Sequence, residues 1–335
     1  MAMDFELTGL FPRGLSAPTN LDTIQERYRR SAESAKTFIP IQFGLCTAVW
    51  NAEKQAYQCQ SFNFYIHPYV SKRGYQFNCD LASLQFLSSN GFDFNKLFSK
   101  GIHFVSQQKQ ATIEEQNNEK ETKPRSKITL QPADEEFLNG SLDKIQEWLQ
   151  TTEVSLELPA CNSYLMRILF QEIPERFPSL TLSQVSVEGQ KFWKSLKLAR
   201  LSAEEKKKQE ETEAQETKDR LDGMAGFRRV VDVMCDVNKP LVGHNMLLDL
   251  CYFYNYFIGS LPDDVQEFKT SLLSKFPYII DTKILSAETD AEVTALGDMY
   301  EELSKVEKPV IESDMGESAG GKAHEAGWDA YMTAH

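Results

Sequence analysis

The sequence predicts an α/β protein built from one main domain and a smaller α+β unit inserted into it. Segments with strand-like and helix-like spacing of apolar residues alternate through residues 1–127 and 221–335, a pattern typical of a sheet covered by helices. The composition changes over residues 128–220. We therefore expect residues 1–127 and 221–335 to form one domain, and residues 128–220 to form the insertion with a charged connecting helix.

The composition is typical of a globular intracellular protein. The chain has 335 residues, 41% of them hydrophobic and 25% charged, which is enough for two packed units. Its six cysteines form no CxxC pair, which favours reduced thiols over a zinc knuckle or a disulfide framework. The most apolar stretch, residues 246–258, is shorter than the roughly 20 apolar residues of a membrane span. We expect no membrane span and a location in the nucleus or cytoplasm.

The net charge of −13 by itself disfavours a polyanionic partner, because nucleic-acid binding depends on Lys and Arg. Most of that charge is local, since residues 284–335 contain 12 acidic and 3 basic residues and leave a balance of −4 for residues 1–283. An acidic chain also suits carboxylates gathered around metal ions. The charge therefore leaves both a nucleic-acid partner and a metal site open.

The first part of the main domain combines a hairpin with short helices. Residues 37–50 and 57–66 are rich in β-branched and aromatic residues and predict a β-hairpin. Residues 82–98 have helix-like spacing interrupted by Gly91, which predicts two short helices. Residues 107–126 are polar and charged and predict an exposed helix or linker.

The insertion is expected to have its own core. Its helices are predicted at 142–149 and 164–173, and its strands at 180–187 and 192–198. Residues 202–220 carry charges of both signs with almost no apolar face, which indicates a solvated helix.

The second part of the main domain repeats the order strand, turn and helix. Residues 313–321 contain Gly and Ser and predict a loop, and a last helix is expected to begin near Ala326. The other predicted strands are 239–242 and 278–282, and the other helices are 226–237, 245–256, 262–276 and 296–303.

Two patterns place carboxylates on defined faces. Asp4 and Glu6 are two residues apart in a predicted strand, so both face one side. Asn245 and Asp249 are four residues apart in a predicted helix and share a face. An aspartate among apolar residues requires a cation or a hydrogen-bonding partner. Each pattern taken alone also fits an ordinary surface or capping residue.

A third pattern adds a candidate base. His324 precedes Asp329 by five residues across a predicted helix start, and a histidine beside a metal-binding carboxylate suits a general base. Glu325 is the competing carboxylate, but it shares a face with Asp329 only if the helix begins a turn earlier. Taken alone, His324 also fits a surface or packing histidine.

Together the three patterns predict a metal centre. Carboxylates from both ends of the chain can hold two divalent cations about 4 Å apart, as two-metal phosphodiester enzymes require. Such ligands favour Mg²⁺ or Mn²⁺ over zinc, and His324 would take the proton of the attacking water. The four predicted metal ligands are Asp4, Glu6, Asp249 and Asp329.

The order of these patterns resembles the DEDDh exonucleases, and the segments between them narrow the resemblance. SFNFY, GFDFNKLF, PLVGHNMLLDL, FPYIIDTK and HEAGWDAY are similar to the poly(A)-specific ribonuclease family, which includes small-RNA 3′ trimming enzymes. The resemblance implies an RNase H-like α/β fold and 3′ to 5′ hydrolysis of single-stranded RNA, often poly(A), to 5′-nucleotides. It also implies two Mg²⁺ ions, for which Mn²⁺ is expected to substitute, and a homodimer.

The same resemblance implies roles for individual residues. By motif position the four carboxylates are metal ligands and His324 is the general base, so all five are catalytic positions. His244, Asn245 and Lys283 are expected near the RNA. Lys283 would neutralise a phosphate near the scissile bond, although a solvated lysine at the end of a strand also fits.

Four apolar residues are candidate stacking surfaces for the terminal bases. Phe5, Leu7, Phe92 and Phe94 are expected to supply apolar or aromatic surfaces, and stacking of a base on such a side chain is worth about 1 to 3 kcal/mol. A core role fits Phe92 and Phe94 equally well.

The insertion occupies the place of the family's small nucleic-acid-binding domain, which is named for an Arg-x-x-x-His signature. Here Arg167 is followed at that spacing by Gln171. We expect the fold to be kept and RNA binding through this signature to be weakened or altered.

Two alternatives to an active exoribonuclease remain. One is an RNA-binding scaffold that keeps the fold with weak or no turnover, which a missing acid would have favoured. The other is a DNA-directed proofreading exonuclease, which the insertion and the family segments disfavour.

Overall fold

The computed structural model describes residues 1–19, 21–71, 74–122, 130–186, 193–200, 203–289, 293–313 and 324–335. The chain forms two compact units. The main unit consists of Met1–Glu114 and Leu221–His335, and the inserted unit is Glu115–Arg220. The sequence placed the start of the insertion at residue 128, whereas the first division between the units falls inside the helix Gln107–Thr122.

The elements are numbered in chain order. The strands are β1 (Ala2–Leu7), β2 (Pro40–Asn51), β3 (Ala56–Pro68), β4 (Ile102–Phe104), β5 (Ser155–Cys161), β6 (Leu180–Ser186), β7 (Lys194–Arg200), β8 (Leu241–Gly243), β9 (Ile279–Asp281) and β10 (Val310–Ser313). The helices are α1 (Ile24–Thr37), α2 (Leu81–Ser89), α3 (Phe94–Lys100), α4 (Gln107–Thr122), α5 (Pro132–Leu149), α6 (Ser163–Arg176), α7 (Ala203–Ala225), α8 (Arg228–Asp236), α9 (Leu247–Phe253), α10 (Val265–Leu273), α11 (Thr282–Ala287), α12 (Leu296–Leu303) and α13 (Ala326–Ala334). A π-helical segment, Tyr254–Ile258, continues α9.

In the described residues, the main unit is organised around a seven-stranded mixed sheet. Its order is β10-β3-β2-β1-β8-β9, and β4 pairs with β3. The central strand β1 is antiparallel to β2 and parallel to β8. β8 pairs with the start of β1, with Ala2 opposite Val242, so the residues that follow β8 emerge beside the part of β1 that begins at Asp4. This topology brings distant parts of the chain to one edge.

The two faces of β1 are covered by different elements. Met3, Phe5 and Leu7 belong to the large core that also contains residues of α1 and α9, and the ring centroid of Phe5 lies 4.8 Å from that of Phe43. Ala2, on the other face, packs with Ala330 of α13. Strand alternation therefore points Asp4 and Glu6 to the α13 side.

Most predicted elements are confirmed. The hairpin is formed by β2 and β3, the two helices around Gly91 are α2 and α3, and α13 begins at Ala326. The sequence did not predict α1, β4, β5, α11 or β10. The proposed helix 245–256 is wrong at its start, because Asn245 has a φ of +57° and α9 begins only at Leu247. The predicted loop 313–321 lies outside the described residues except for its first position.

The inserted unit has a separate core, as predicted. Its sheet is antiparallel in the order β5-β7-β6, and side chains of α5 and α6 pack with it around Leu169 and Leu196. Arg167 lines a cleft of about 340 Å³ together with Phe170 and Lys194. Gln171, which replaces the signature histidine, is buried instead.

None of the helices in the described parts of the chain combines the length and apolarity needed to cross a membrane.

Candidate active site

Strand β1 supplies two carboxylates on one face. Asp4 and Glu6 are half-buried, and the residues between and after them point into the core. Phe5 is only 6% exposed and Leu7 only 7%. The same-face prediction for the carboxylates is confirmed, whereas the expected stacking role of Phe5 and Leu7 is corrected. Their side chains are buried on the opposite face of the strand and offer no surface to a base.

Helix α13 brings a third carboxylate to this face. Oxygen atoms of Asp4, Glu6 and Asp329 lie within 4.8 Å of one another. Asp329 stands in the first turn of α13, so its position depends on how the start of that helix is held. Residues from the two ends of the chain are thus joined in one cluster, as the sequence patterns predicted.

The start of α13 is held by side chains of the sheet. The backbone N–H of Ala326 donates to Oε1 of Gln42 at 3.0 Å, and that of Gly327 donates to Oδ1 of Asn63 at 3.2 Å. The helix has no side-chain cap of its own, so these amides satisfy donors that a helix start leaves open. Gly44 lets the helix lie close, because a Cβ there would be 1.8 Å from the carbonyl oxygen of Ala326.

Asp249 stands in the first turn of α9, immediately after the turn that leaves β8. It is half-buried, and its negative charge raises the pKa values of Asp4 and Glu6. Asp249 therefore lies near the cluster, although it is not among the three residues whose oxygen atoms lie within 4.8 Å.

All four carboxylates have raised pKa values. Burial is the largest cause for each, and it raises the pKa of Glu6 to about 9, of Asp249 to about 7 and of Asp329 to about 6. Burial and the charges of its three neighbours hold the pKa of Asp4 well above its usual range. The charge of Asp281 adds to the shift at Asp249. The site therefore places four carboxylates in a buried environment that disfavours their ionised forms.

This electrostatic arrangement fits divalent cations. Oxygen atoms of three carboxylates converge within 4.8 Å, and carboxylate oxygens are the donors that Mg²⁺ and Mn²⁺ prefer. Burial and like charge both disfavour the ionised carboxylates here, and bound cations would relieve both.

The candidate base stands two residues before α13. His324 is exposed and has a φ of +66°, a left-handed conformation that is uncommon for residues other than glycine. Its ring packs edge-on against Phe86 of α2, with centroids 4.7 Å apart. Its proximity and its backbone hydrogen bond both lower the pKa of Asp329. His324 therefore lies beside the carboxylate cluster.

Glu325, the competing carboxylate, is engaged elsewhere. Its Oε1 accepts a hydrogen bond of 2.6 Å from Nδ2 of Asn63, while its charge still contributes to the raised pKa of Glu6.

The turn between β8 and α9 is held by residues at the end of β9. The backbone N–H groups of Asn245 and Met246 donate to the two carboxylate oxygens of Asp281, at 2.9 and 3.0 Å. Nδ1 of His244 lies 3.0 Å from Oγ1 of Thr282. The ring of His244 is thus tied to the protein, whereas Asn245 is exposed. The prediction that Asn245 and Asp249 share a helical face is therefore corrected.

The remaining predicted RNA contacts occupy different environments. Lys283 is exposed in the first turn of α11. Phe92 and Phe94 pack against each other, with ring centroids 4.7 Å apart, and Phe92 also contacts Tyr65. Both belong to a small apolar cluster, which supports their core role.

The sequence reasoning missed five residues that support the site. A glycine inside a predicted strand is a signal of close approach by another backbone, and this signal would have pointed to Gly44 in the predicted strand 37–50. The others act through contacts with residues that are distant in the sequence. They are Gly44, Gln42, Asn63, Asp281 and Thr282.

A sequence profile of the CAF1 family ribonucleases matches residues 1–335. The chain belongs to this family. This membership agrees with the α/β fold of RNase H-like exonucleases that the sequence predicted, and with the order of the site residues along the chain.

Curated relatives support the family assignment. The chain is 30% identical to the poly(A)-specific ribonuclease PARN of Homo sapiens over 99% of its own length and 56% of the relative. It is 28% identical to PARN of Xenopus laevis, with 99% and 57% covered. It is 26% identical to the pre-piRNA 3′-exonuclease trimmer of Bombyx mori, with 100% and 65% covered. The chain therefore spans between half and two thirds of the length of these relatives.

A solved structure of S. pombe Pop2p, in a form bound to Mg²⁺ and Mn²⁺, aligns with 99% of this chain and 78% of its own. Its TM-score is 0.42 and its sequence identity 14%.

Proposed function

We propose that this chain is a divalent-metal-dependent 3′ to 5′ exoribonuclease that shortens single-stranded RNA from its 3′ end. The observation that carries the proposal is the cluster of carboxylates brought together from β1 and α13, with Asp249 of α9 close enough to act on its charges. Family membership supplies the reaction class, and the relatives' names suggest poly(A) tails or small-RNA precursors as substrates.

The four carboxylates are the proposed ligands of two cations. Asp4 and Glu6 enter from the rigid centre of the sheet, and Asp329 enters from α13. Mg²⁺ held by these residues would supply positive charge that lowers the pKa of an attacking water and stabilises the leaving 3′ oxygen. The protein's own task is to hold these oxygens in place, and bound cations would favour their ionised forms at neutral pH.

His324 is the proposed general base. The imidazole accepts the proton of the attacking water at a ring nitrogen and passes it to solvent, to which the residue is open. The contact with Phe86 restricts the orientations of the ring. A base held beside the metal ligands in this way needs little rearrangement in the reaction.

Substrate contacts are proposed at two exposed residues whose backbone N–H groups both donate to Asp281. Lys283 neutralises a phosphate, and Asn245 donates or accepts hydrogen bonds with the RNA. Metal-dependent hydrolysis at the 3′ end of the bound RNA would release 5′-nucleotides. The homodimer and the nuclear or cytoplasmic location stay predictions.

A gel time course tests this function. The substrate is a 5′-labelled RNA ending in oligo(A), with oligo(U) and DNA oligonucleotides as controls, in Mg²⁺ or in EDTA. We expect a ladder that shrinks from the 3′ end of RNA only when Mg²⁺ is present. A higher rate on oligo(A) than on oligo(U) would indicate a preference for poly(A) tails, whereas equal rates would indicate action on RNA 3′ ends of any sequence. RNA that is bound but not shortened would favour the scaffold alternative, and equal degradation of DNA would favour a proofreading-type enzyme.

A further inference from the structure

The turn from β8 to α9 depends on the end of the neighbouring strand. β8 and β9 are parallel, and Gly243 lies directly beside Asp281 in their register. The carboxylate of Asp281 therefore stands where the chain leaves β8. Each of its oxygens accepts a backbone N–H from that turn, and Oδ1 also accepts the N–H of Lys283 at 3.0 Å.

The conformation of this turn is stabilised by such contacts. Asn245 has a φ of +57°, a left-handed region that is uncommon for residues with a Cβ and that Asn adopts more readily than most of them. The turn is also tight, because a Cβ on Gly243 would be 2.7 Å from the Cβ of Met246. Charge-assisted hydrogen bonds to a carboxylate are among the stronger ones in proteins, and here they stabilise the left-handed backbone at Asn245.

Thr282 adds a second contact from the same segment. Its Oγ1 lies 3.0 Å from Nδ1 of His244 and 3.4 Å from the carbonyl oxygen of Gly243, to which it can donate. If the hydroxyl donates to that carbonyl, Nδ1 of His244 is the donor to the hydroxyl oxygen. Asp281 thus holds the turn through its backbone N–H groups, and Thr282 holds it through the side chain of His244.

The contacts of Asp281 and Thr282, here called the clamp, reach Met246 at the start of α9, but the rest of the helix is held by contacts of its own. The N–H of Leu250 donates to the carbonyl of Met246 at 2.8 Å, and Leu250, Cys251, Tyr252 and Phe253 are buried. Asp249 is therefore fixed mainly by α9. Asn245, which is exposed and precedes the helix, depends on the clamp.

We propose that Asp281 and Thr282 are positioning residues that determine how strongly Asn245 binds the RNA, a role that rests on the proposed function. Neither residue binds the metal or the RNA in this role. The charge of Asp281 does act on Asp249, so Thr282→Val is the variant that loosens the turn without changing the charge near the cluster. They hold the backbone of the turn, so that the exposed side chain of Asn245 starts from a fixed position before the substrate arrives. The consequence is a separation of effects: loss of the clamp weakens substrate binding more than it slows the chemical step.

Steady-state kinetics on the oligo(A) RNA test this separation. We expect Asp281→Ala to raise KM by about tenfold, while kcat changes by less than about threefold. We expect Thr282→Val, which keeps the shape and loses the hydroxyl, to raise KM by a smaller factor. Thr282→Ser restores the hydroxyl and should return KM to the wild-type value.

A matched control separates positioning from loss of stability. Asp264 also accepts two backbone N–H groups, from Gln266 and Glu267 at 2.8 and 3.1 Å, at the start of α10. Asp264→Ala removes the same kind of contact from the same unit and should leave KM unchanged. An equal rise in KM for Asp264→Ala and Asp281→Ala would overturn the proposal.

Two further readouts do not require turnover. We expect amide hydrogen exchange at Asn245 and Met246 to accelerate in Asp281→Ala, and the affinity of labelled RNA in EDTA to fall by the factor seen in KM. Unchanged KM and affinity in Asp281→Ala, or a loss of kcat alone, would overturn the proposal. If Asp281→Ala fails to fold, the Thr282→Val and Thr282→Ser pair decides. A wild-type protein that binds RNA without hydrolysing it would refute the proposed activity, and the affinity and exchange data would still decide the role of the clamp.

Discussion

The replacement Gly44→Ala tests how closely α13 must approach the sheet. An added Cβ would meet the carbonyl oxygen of Ala326 at 1.8 Å, its carbonyl carbon at 2.1 Å and the nitrogen of Gly327 at 2.6 Å. Real Cβ atoms essentially never make contacts under 3.0 Å. All three atoms belong to backbone, so no side chain can rotate away to relieve the clash.

The clash lies directly beside the carboxylate cluster. Gly44 pairs with Asp4 in the register of β1 and β2, and both strands are interior to the sheet. The sheet is therefore the less yielding partner, and the start of α13 must retreat by more than 1 Å to clear the contact. Asp329 moves with the helix. A displacement of about 1 Å in a catalytic group can cost about 100-fold in rate.

We therefore expect Gly44→Ala to slow single-turnover hydrolysis of 5′-labelled RNA in Mg²⁺ by about 100-fold and to lower Tm. A matched control is Gly297→Ala in α12, where an added Cβ meets nothing within 4 Å. That replacement should leave the rate unchanged. A Gly44→Ala protein that is as active as Gly297→Ala would refute the claim that close packing of α13 places Asp329.

Three further predictions concern charge and capping. In the metal-free protein the raised pKa values of Glu6 (about 9) and Asp249 (about 7) mean that the folded state binds more protons than the unfolded state between about pH 4.5 and 9. The free energy of unfolding should therefore fall as pH rises through that range, and a Tm in EDTA that stays flat or rises would contradict these shifts. Asp4→Asn removes a like charge, so Tm in EDTA at pH 8 should be equal or higher, while the increase in Tm on adding Mg²⁺ should be lost; a full Mg²⁺ response would count against Asp4 as a ligand. Asn63→Ala removes an acceptor at the start of α13, worth about 1 kcal/mol, and should lower kcat by several-fold with the affinity for RNA in EDTA unchanged; an unchanged kcat would show that Gln42 suffices.

Local patterns in the sequence predicted much of the sheet. Alternation along β1 placed Asp4 and Glu6 on one face, because side chains of a strand alternate regardless of context. The same alternation also places Phe5 and Leu7 on the other face. The stacking role expected for them was therefore at odds with a signal already present in the sequence.

The parts that escaped prediction depend on distant contacts. The N–H of Ala326 bonds to Gln42 across a separation of 284 residues, and no local pattern reports such a pair. The left-handed turn at Asn245 is stabilised by Asp281, which lies on another strand. Helical spacing alone extended α9 backwards through this turn, because the spacing does not show which backbone groups find partners elsewhere.

The central claim is that carboxylates from both ends of the chain form one divalent-metal site. Titration of Mn²⁺ into the metal-free protein, followed by calorimetry at neutral pH, tests it most directly. We predict binding to the wild-type protein, with protons released from the cluster, and a strong loss of affinity in both Asp4→Asn and Asp329→Asn. Wild-type binding that neither replacement weakens would contradict the claim, as would the absence of binding to the wild-type protein.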